Sequence, residues 1–396
     1  MELRRVTDLP PYVFAEINRM KLASRRAGED VIDLGFGNPD IPSPEVAVDK
    51  LCEAARNPRN HRYSASRGIP KLREAVAALY LRRFGVELDP EREVVSTIGA
   101  KEGLAHLMWV LLGPGDTALV PSPSYPIHLQ APRFAGATVL PVRLEHVAGG
   151  DAGAAWVANV EAAWQGASPK PRVLIFSFPH NPTTACVDLA AMASLVAWAR
   201  EREVVLVHDF AYADTAFDGY RPPSILEVDG AKEVAVELYT LTKSFSMAGW
   251  RVAFLVGNAE LVEALATLKS YLDYGTFQPV QIAATVAMNE ARDYPLEVNR
   301  QYRERRDALC DGLGRIGWEV SRPRATMFVW AEIPPAYAAM GSLAFAKLLL
   351  TTAGVATSPG AGFGEGGEGH VRFALIENPQ RINQGVRSMR RALPKL

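Results

Sequence analysis

One lysine in this chain stands among hydroxyls and ahead of an arginine. Thr240, Thr242, Lys243, Ser244 and Ser246 are followed by Gly249 and then, eight residues beyond the lysine, by Arg251. A primary amine attacks a carbonyl once burial or neighbouring charge holds its pKa low enough to free it of its proton, and a guanidinium offers a fixed fork to an anion. Gly249 lets the backbone come close to a ligand. Types and spacing together suit an aldehyde that carries a phosphate. Taken alone, Lys243 reads equally as a solvated residue leaving a strand.

Other residues widen the pattern. The apolar run Val204–Val207 with His208 ends in Asp209, followed by Tyr212. A carboxylate buried there needs a cation, and a protonated ring nitrogen would serve; the bland reading is a helix cap. After the apolar run Val173–Phe178 comes Pro179-His180-Asn181-Pro182-Thr183, whose Asn181 amide can hydrogen-bond a phenolic oxygen. Gly99-Ala100-Lys101 turns a strand into a helix, and free N–H groups at a helix start favour an anion. Pyridoxal phosphate is an aldehyde that carries a phosphate. Arg372, in the apolar run Val371–Leu375, cannot lose its charge and must find an anion of its own.

The segment T-K-S-F-S-M-A-G-W-R resembles the S/T-x-x-K-x(7)-R signature of class I/II aminotransferases of pyridoxal phosphate fold type I, with Thr240, Lys243 and Arg251 at its fixed positions. Within that superfamily the chain is similar to the bacterial glutamate–pyruvate (alanine) aminotransferases, from Asp8 to Asn378. The resemblance implies a Schiff base on Lys243, which then carries the proton between substrate and cofactor. It implies phosphate contacts from Arg251, Thr240 and the backbone at Ala100 and Lys101; where Ala100 stands the family often has a serine. Tyr125 would stack on the ring, Asn181 and Tyr212 would meet the phenolic oxygen, and Asp209 the ring nitrogen. Arg372, with Asn181 and the backbone at Gly37, would hold the substrate carboxylate. Tyr63 would reach the phosphate of a neighbouring subunit in a homodimer. Without the resemblance, Gly37 is one glycine of a tight turn, and Tyr63 and Tyr125 are packing aromatics.

The activity implied is transamination between an amino acid, alanine foremost, and 2-oxoglutarate, giving pyruvate and glutamate. Aspartate and LL-diaminopimelate aminotransferases, and a lyase of the same fold, stay open as alternatives. Relatives specific for dicarboxylates bring an arginine before the turn that follows the lysine domain's last strand. Here that region, Ser270–Pro279, has none, and Asp273 is expected to face the pocket. Lys101 is then the candidate for a distal carboxylate, against the plainer reading of a solvated helix face.

Positioning these groups calls for an α/β fold with a large, mostly parallel sheet and a smaller α+β domain. Residues 47–285 read as the large domain and 286–396 as the small one, with 1–46 an arm and part of the small domain. The arm's amphipathic run shows apolar Val13, Phe14, Ile17, Met20 and Leu22. The tail reads as a helix from Arg303, strands at Trp318–Val320 and Met327–Trp330, a helix at Leu343–Thr352 and a last strand at Val371–Leu375.

Forty-three basic against 44 acidic residues, a net charge of −1, leave no footprint for nucleic acid or an anionic membrane. Partners are therefore expected to be small molecules, an amino acid and a 2-oxo acid. No apolar run approaches the roughly 18 residues of a membrane span, and the start has no signal-peptide character, which points to the cytoplasm. Cys52, Cys186 and Cys310 lack the spacing of bridges or metal ligands. A regulator built on the same fold would need a DNA-binding module, for which no length precedes Asp8. A cofactor-free binding protein is the blandest alternative.

Overall fold

The computed structural model describes residues 13–144 and 152–394; the Leu9-Pro10-Pro11-Tyr12 segment lies outside them. The strands are β1 (Ile32–Asp33), β2 (Val94–Thr97), β3 (Thr117–Ser122), β4 (Thr138–Arg143), β5 (Val173–Phe176) and β6 (Val205–Asp209). They continue with β7 (Ala235–Thr240), β8 (Ala253–Gly257), β9 (Phe328–Glu332), β10 (Val355–Ala356), β11 (Ser358–Pro359) and β12 (His370–Ala374).

Seven of these form one sheet in the order β2-β8-β7-β6-β5-β3-β4. Only β8 runs against its neighbours, antiparallel to β7 and β2. Its interior strands are mostly apolar because helices cover both faces: Leu174, Phe176 and Leu206 pack into one core, Ile175 and Val207 into another, and the buried ionisable pair inside, His208 of β6 with Glu237 of β7, is hydrogen-bonded at 2.8 Å. Adjacent side chains along a strand thus serve opposite layers, and function is left to the strand ends. β8 begins only at Ala253 because Arg251, two residues before it, has a left-handed φ of 57°, outside the strand region.

A third core surrounds the smaller sheets, β11-β12-β9 and the pair β1-β10. Pairing of Ile32 with Val355 ties the N-terminal part of the chain to the C-terminal part, and Ile17 of helix Val13–Arg26 enters the same core. That helix buries Ile17 and Lys21, while Leu22, expected on its apolar face, is 43% exposed. A buried lysine has displaced a leucine from the inner stripe.

Two further expectations need correction. Trp318–Val320 is not a strand: its backbone joins no ladder, and Trp318 instead donates from Nε1 to Glu332 O (2.8 Å) while its ring packs on Phe345 and Phe373. The helix expected from Arg303 begins at Tyr294, with Pro295 in the first turn where a missing N–H is harmless.

Candidate active site

A cavity of about 500 Å³ opens where the parallel strands end. Asp209 is the last residue of β6 and Thr240 the last of β7, while Ala100, Tyr125 and Asn181 follow β2, β3 and β5 within a few residues. All five line the cavity. Lys101, Tyr212, Lys243 and Arg251 join them, and Gly37 and Arg372 enter from the N-terminal and C-terminal parts of the chain.

Lys243 is half-buried, and its Nζ donates to Gly37 O at 2.7 Å. Burial, then the charges of Arg372 and Arg251, brings its pKa down to about 7. An amine of that kind is partly free base at neutral pH, the state a nucleophile or proton carrier requires. Gly37 tolerates no side chain, since a Cβ would lie 2.6 Å from the Phe328 ring. The same ring supports Arg372, whose guanidinium carbon stands 3.9 Å from the Phe328 centroid and 4.6 Å from that of Phe363. Arg372 Nη1 donates to Asn181 Oδ1 at 2.6 Å, and Nη2 to Gly35 O at 3.3 Å. With Oδ1 committed, the donor left to Asn181 is its NH₂ group.

Gly99 opens helix Ala100–Leu111 with φ 83° and no side-chain cap. A Cβ on Gly99 would fall 2.0 Å from Arg251 Nη2. Only glycine allows the guanidinium to lie against this turn. Arg251 Nη1 is braced on Ala248 O at 3.0 Å, so a guanidinium and uncapped first-turn N–H groups converge as an anion cradle.

Asp209 lines the same cavity. Its Oδ2 accepts from His128 Nε2 at 2.8 Å, and His128 Nδ1 meets Ser124 Oγ at 2.9 Å. Its Oδ1 is buried with no hydrogen-bond partner among the described residues. A buried carboxylate oxygen so placed on a ligand cavity fits the protonated ring nitrogen of pyridoxal phosphate, as the cradle fits its phosphate. Tyr212 is buried, and that burial pushes its hydroxyl pKa far up, so it stays a protonated donor. Tyr125 lies beneath the Lys101 ammonium, 5.3 Å from ring centroid to Nζ.

Two residues named from the sequence lie outside this chain's own cavity, and only Asp273 was expected in it. Tyr63 does not line the cavity; it is 85% exposed, with its ring 4.7 Å from that of Tyr274. Asp273 does not line it either, because Lys269, four residues earlier and fully buried, holds Asp273 Oδ2 at 3.0 Å and Glu102 Oε1 at 3.2 Å. Sequence reasoning missed His128, whose one local signal is the serine four residues before it.

The family described as Aminotransferase class I and II matches residues 29–388. The chain is 51% identical over 386 residues to "Glutamate-pyruvate aminotransferase AlaC" of Escherichia coli (strain K12), covering 98% of this chain and 92% of that one. It is 42% identical to "LL-diaminopimelate aminotransferase" of Desulforudis audaxviator (strain MP104C), covering 100% and 99%. Among solved structures, a single mutant of Thermus thermophilus aspartate aminotransferase superposes with a TM-score of 0.90 at 29% identity, covering 99% of this chain and 100% of that one.

Proposed function

The chain belongs to the class I and II aminotransferases and is a pyridoxal-phosphate-dependent transaminase of fold type I; from that premise we propose that it exchanges the amino group of alanine with 2-oxoglutarate, giving pyruvate and glutamate. The observation that carries the substrate reading is the 51% identity to a relative named for that reaction. Apolar Phe14, Ile17 and Ile127 on the cavity wall suit a small apolar side chain. Asp273 has no part in it, since that carboxylate is outside the cavity and paired with Lys269.

Bound here, the cofactor would supply a carbonyl for the amine and a conjugated ring to hold the electron pair released at Cα. Arg372 binds the substrate carboxylate through its fork. Lys243 Nζ takes the Cα proton and returns it one position along, its depressed pKa allowing both at neutral pH. Asp209 Oδ1 keeps the ring nitrogen protonated, with His128 holding the other oxygen. Tyr212 and the Asn181 amide donate to the phenolic oxygen. Arg251, Thr240 and the N–H groups at Ala100 and Lys101 hold the phosphate, and Lys101 meets a distal carboxylate when the substrate has one.

The working unit is a homodimer. Tyr63, Tyr271, Tyr274 and Phe277 leave a cluster of aromatic surface exposed on one chain, which a second copy would cover, bringing Tyr63 to the neighbour's phosphate. No helix among the described residues is long and apolar enough to cross a membrane, and the compartment assigned is the cytoplasm.

A panel of amino acids against 2-oxoglutarate tests the reading. Alanine should be turned over faster than aspartate, and preference for aspartate would overturn it. LL-diaminopimelate belongs in the panel because of the 42% relative. Product formation that continues without a keto acid would mark a lyase instead.

A further inference from the structure

The cavity has a second charged wall that none of these roles uses. Lys21 of helix Val13–Arg26 and Asp33 of β1 both line it. Lys21 Nζ donates to Asp33 Oδ2 at 2.7 Å, and the two side chains are only 10% and 14% exposed. Taking two ions this far from water is costly before their attraction offsets it, so a pair beside a ligand cavity calls for a reason.

The two partners are unequally committed. Asp33 has other support: its Oδ1 accepts from Gly35 N at 3.1 Å, and Arg25 Nη2 stands 3.8 Å from Oδ2. Lys21 has three N–H donors and spends one on Asp33, the one hydrogen bond its ammonium makes among the described residues. Its departure would not strand the carboxylate. The wall also adjoins the carboxylate clamp, because Gly35 turns its N–H to Asp33 and its carbonyl to Arg372 Nη2, at 3.3 Å.

We propose that Lys21 is a specificity residue: it holds the distal carboxylate of 2-oxoglutarate and glutamate, and closes back on Asp33 when a substrate without one occupies the cavity. This rests on 2-oxoglutarate being the amino acceptor. An enzyme that alternates between a charged and an apolar side chain must present a cation to the first and a neutral wall to the second. Closed, the Lys21–Asp33 pair is neutral. Opened, it leaves Asp33 with Arg25 and the Gly35 N–H, and frees a cation where water screens it less than it screens the exposed Lys101. Lys21 therefore acts in addition to Lys101, from a different helix.

The test titrates the holoenzyme with glutarate and with butyrate, acids of similar length with and without a distal carboxylate, read by the cofactor's absorbance. Lys21→Met should raise the glutarate Kd about tenfold or more and leave that of butyrate within about threefold. Asp33→Asn, which removes the closing partner, should shift the ratio the other way and favour glutarate. A merely structural pair would move both acids together in both variants, and that result overturns the proposal, as does unchanged glutarate binding in Lys21→Met. If Lys21→Met does not take up cofactor, Lys21→Gln, which keeps a hydrogen bond to Asp33 without the charge, carries the same prediction. The alanine assignment fails or stands separately, in the wild-type amino-acid panel, because neither probe acid is turned over.

Discussion

The amine of Lys243 should titrate near 7 in the cofactor-free protein, with burial as the largest cause and the charges of Arg372 and Arg251 after it. At pH 7.5 such an amine is roughly three-quarters free base, whereas an ordinary lysine is free to about one part in a thousand. Only the free base condenses with an aldehyde. The rate of condensation with pyridoxal phosphate should therefore rise with pH and level off a little above 7. Stopped-flow absorbance measures it, and dividing by the rate with a small amine of known pKa removes the cofactor's own titration. Arg372→Met takes away the second cause and should move the midpoint up, still below 10.5 because burial remains. Stability gives an independent sign. Between about 7 and 10.5 the unfolded chain binds this proton and the folded one does not, so this group makes the cofactor-free fold gain stability as pH rises across that window. A rate that climbs without a plateau to pH 10 would falsify the depressed pKa, and with it the reason for reading Lys243 as a proton carrier at neutral pH.

Three further outcomes follow from the site. Asp209→Ala should retain bound cofactor but lose roughly 10²–10³-fold in kcat, the scale of a removed preorganised electrostatic contact; near-wild-type turnover would remove the ring-nitrogen pairing. Mixed Tyr63→Phe and Lys243→Ala chains should regain activity as hybrid dimers, each hybrid carrying one intact site; inactive hybrids, once their formation is shown by mass, would argue against a shared site. Lys101→Ala should weaken glutamate and 2-oxoglutarate more than alanine and pyruvate, and equal losses for all four would assign Lys101 to the cofactor or the fold.

The large sheet and its strand ends were legible because buried parallel strands are written as largely apolar runs, and a polar residue at the end of such a run, Asp209 or Thr240, has few places to go. What escaped depends on partners the local pattern cannot show. His128 acquires its meaning from Asp209, 81 residues away. Asp273 looked like a pocket residue until Lys269, one helical turn earlier, captured it; that spacing was visible, but not that the lysine would be fully buried and shared with Glu102. Tyr63 has no place in one chain to act.

The arm helix is the most instructive case. Periodicity alone put Leu22 inside, yet the position that turns inward is Lys21, whose charge is matched by Asp33 across the boundary between helix and strand. Hydrophobic pattern reports where oil should go, and it fails where the interior is a cavity that has to hold something charged. A lysine that wins an inner position over its leucine neighbour marks such a place, since its desolvation is tolerable only beside an anion. Here one anion belongs to the chain, and the cavity beside it has room for a second.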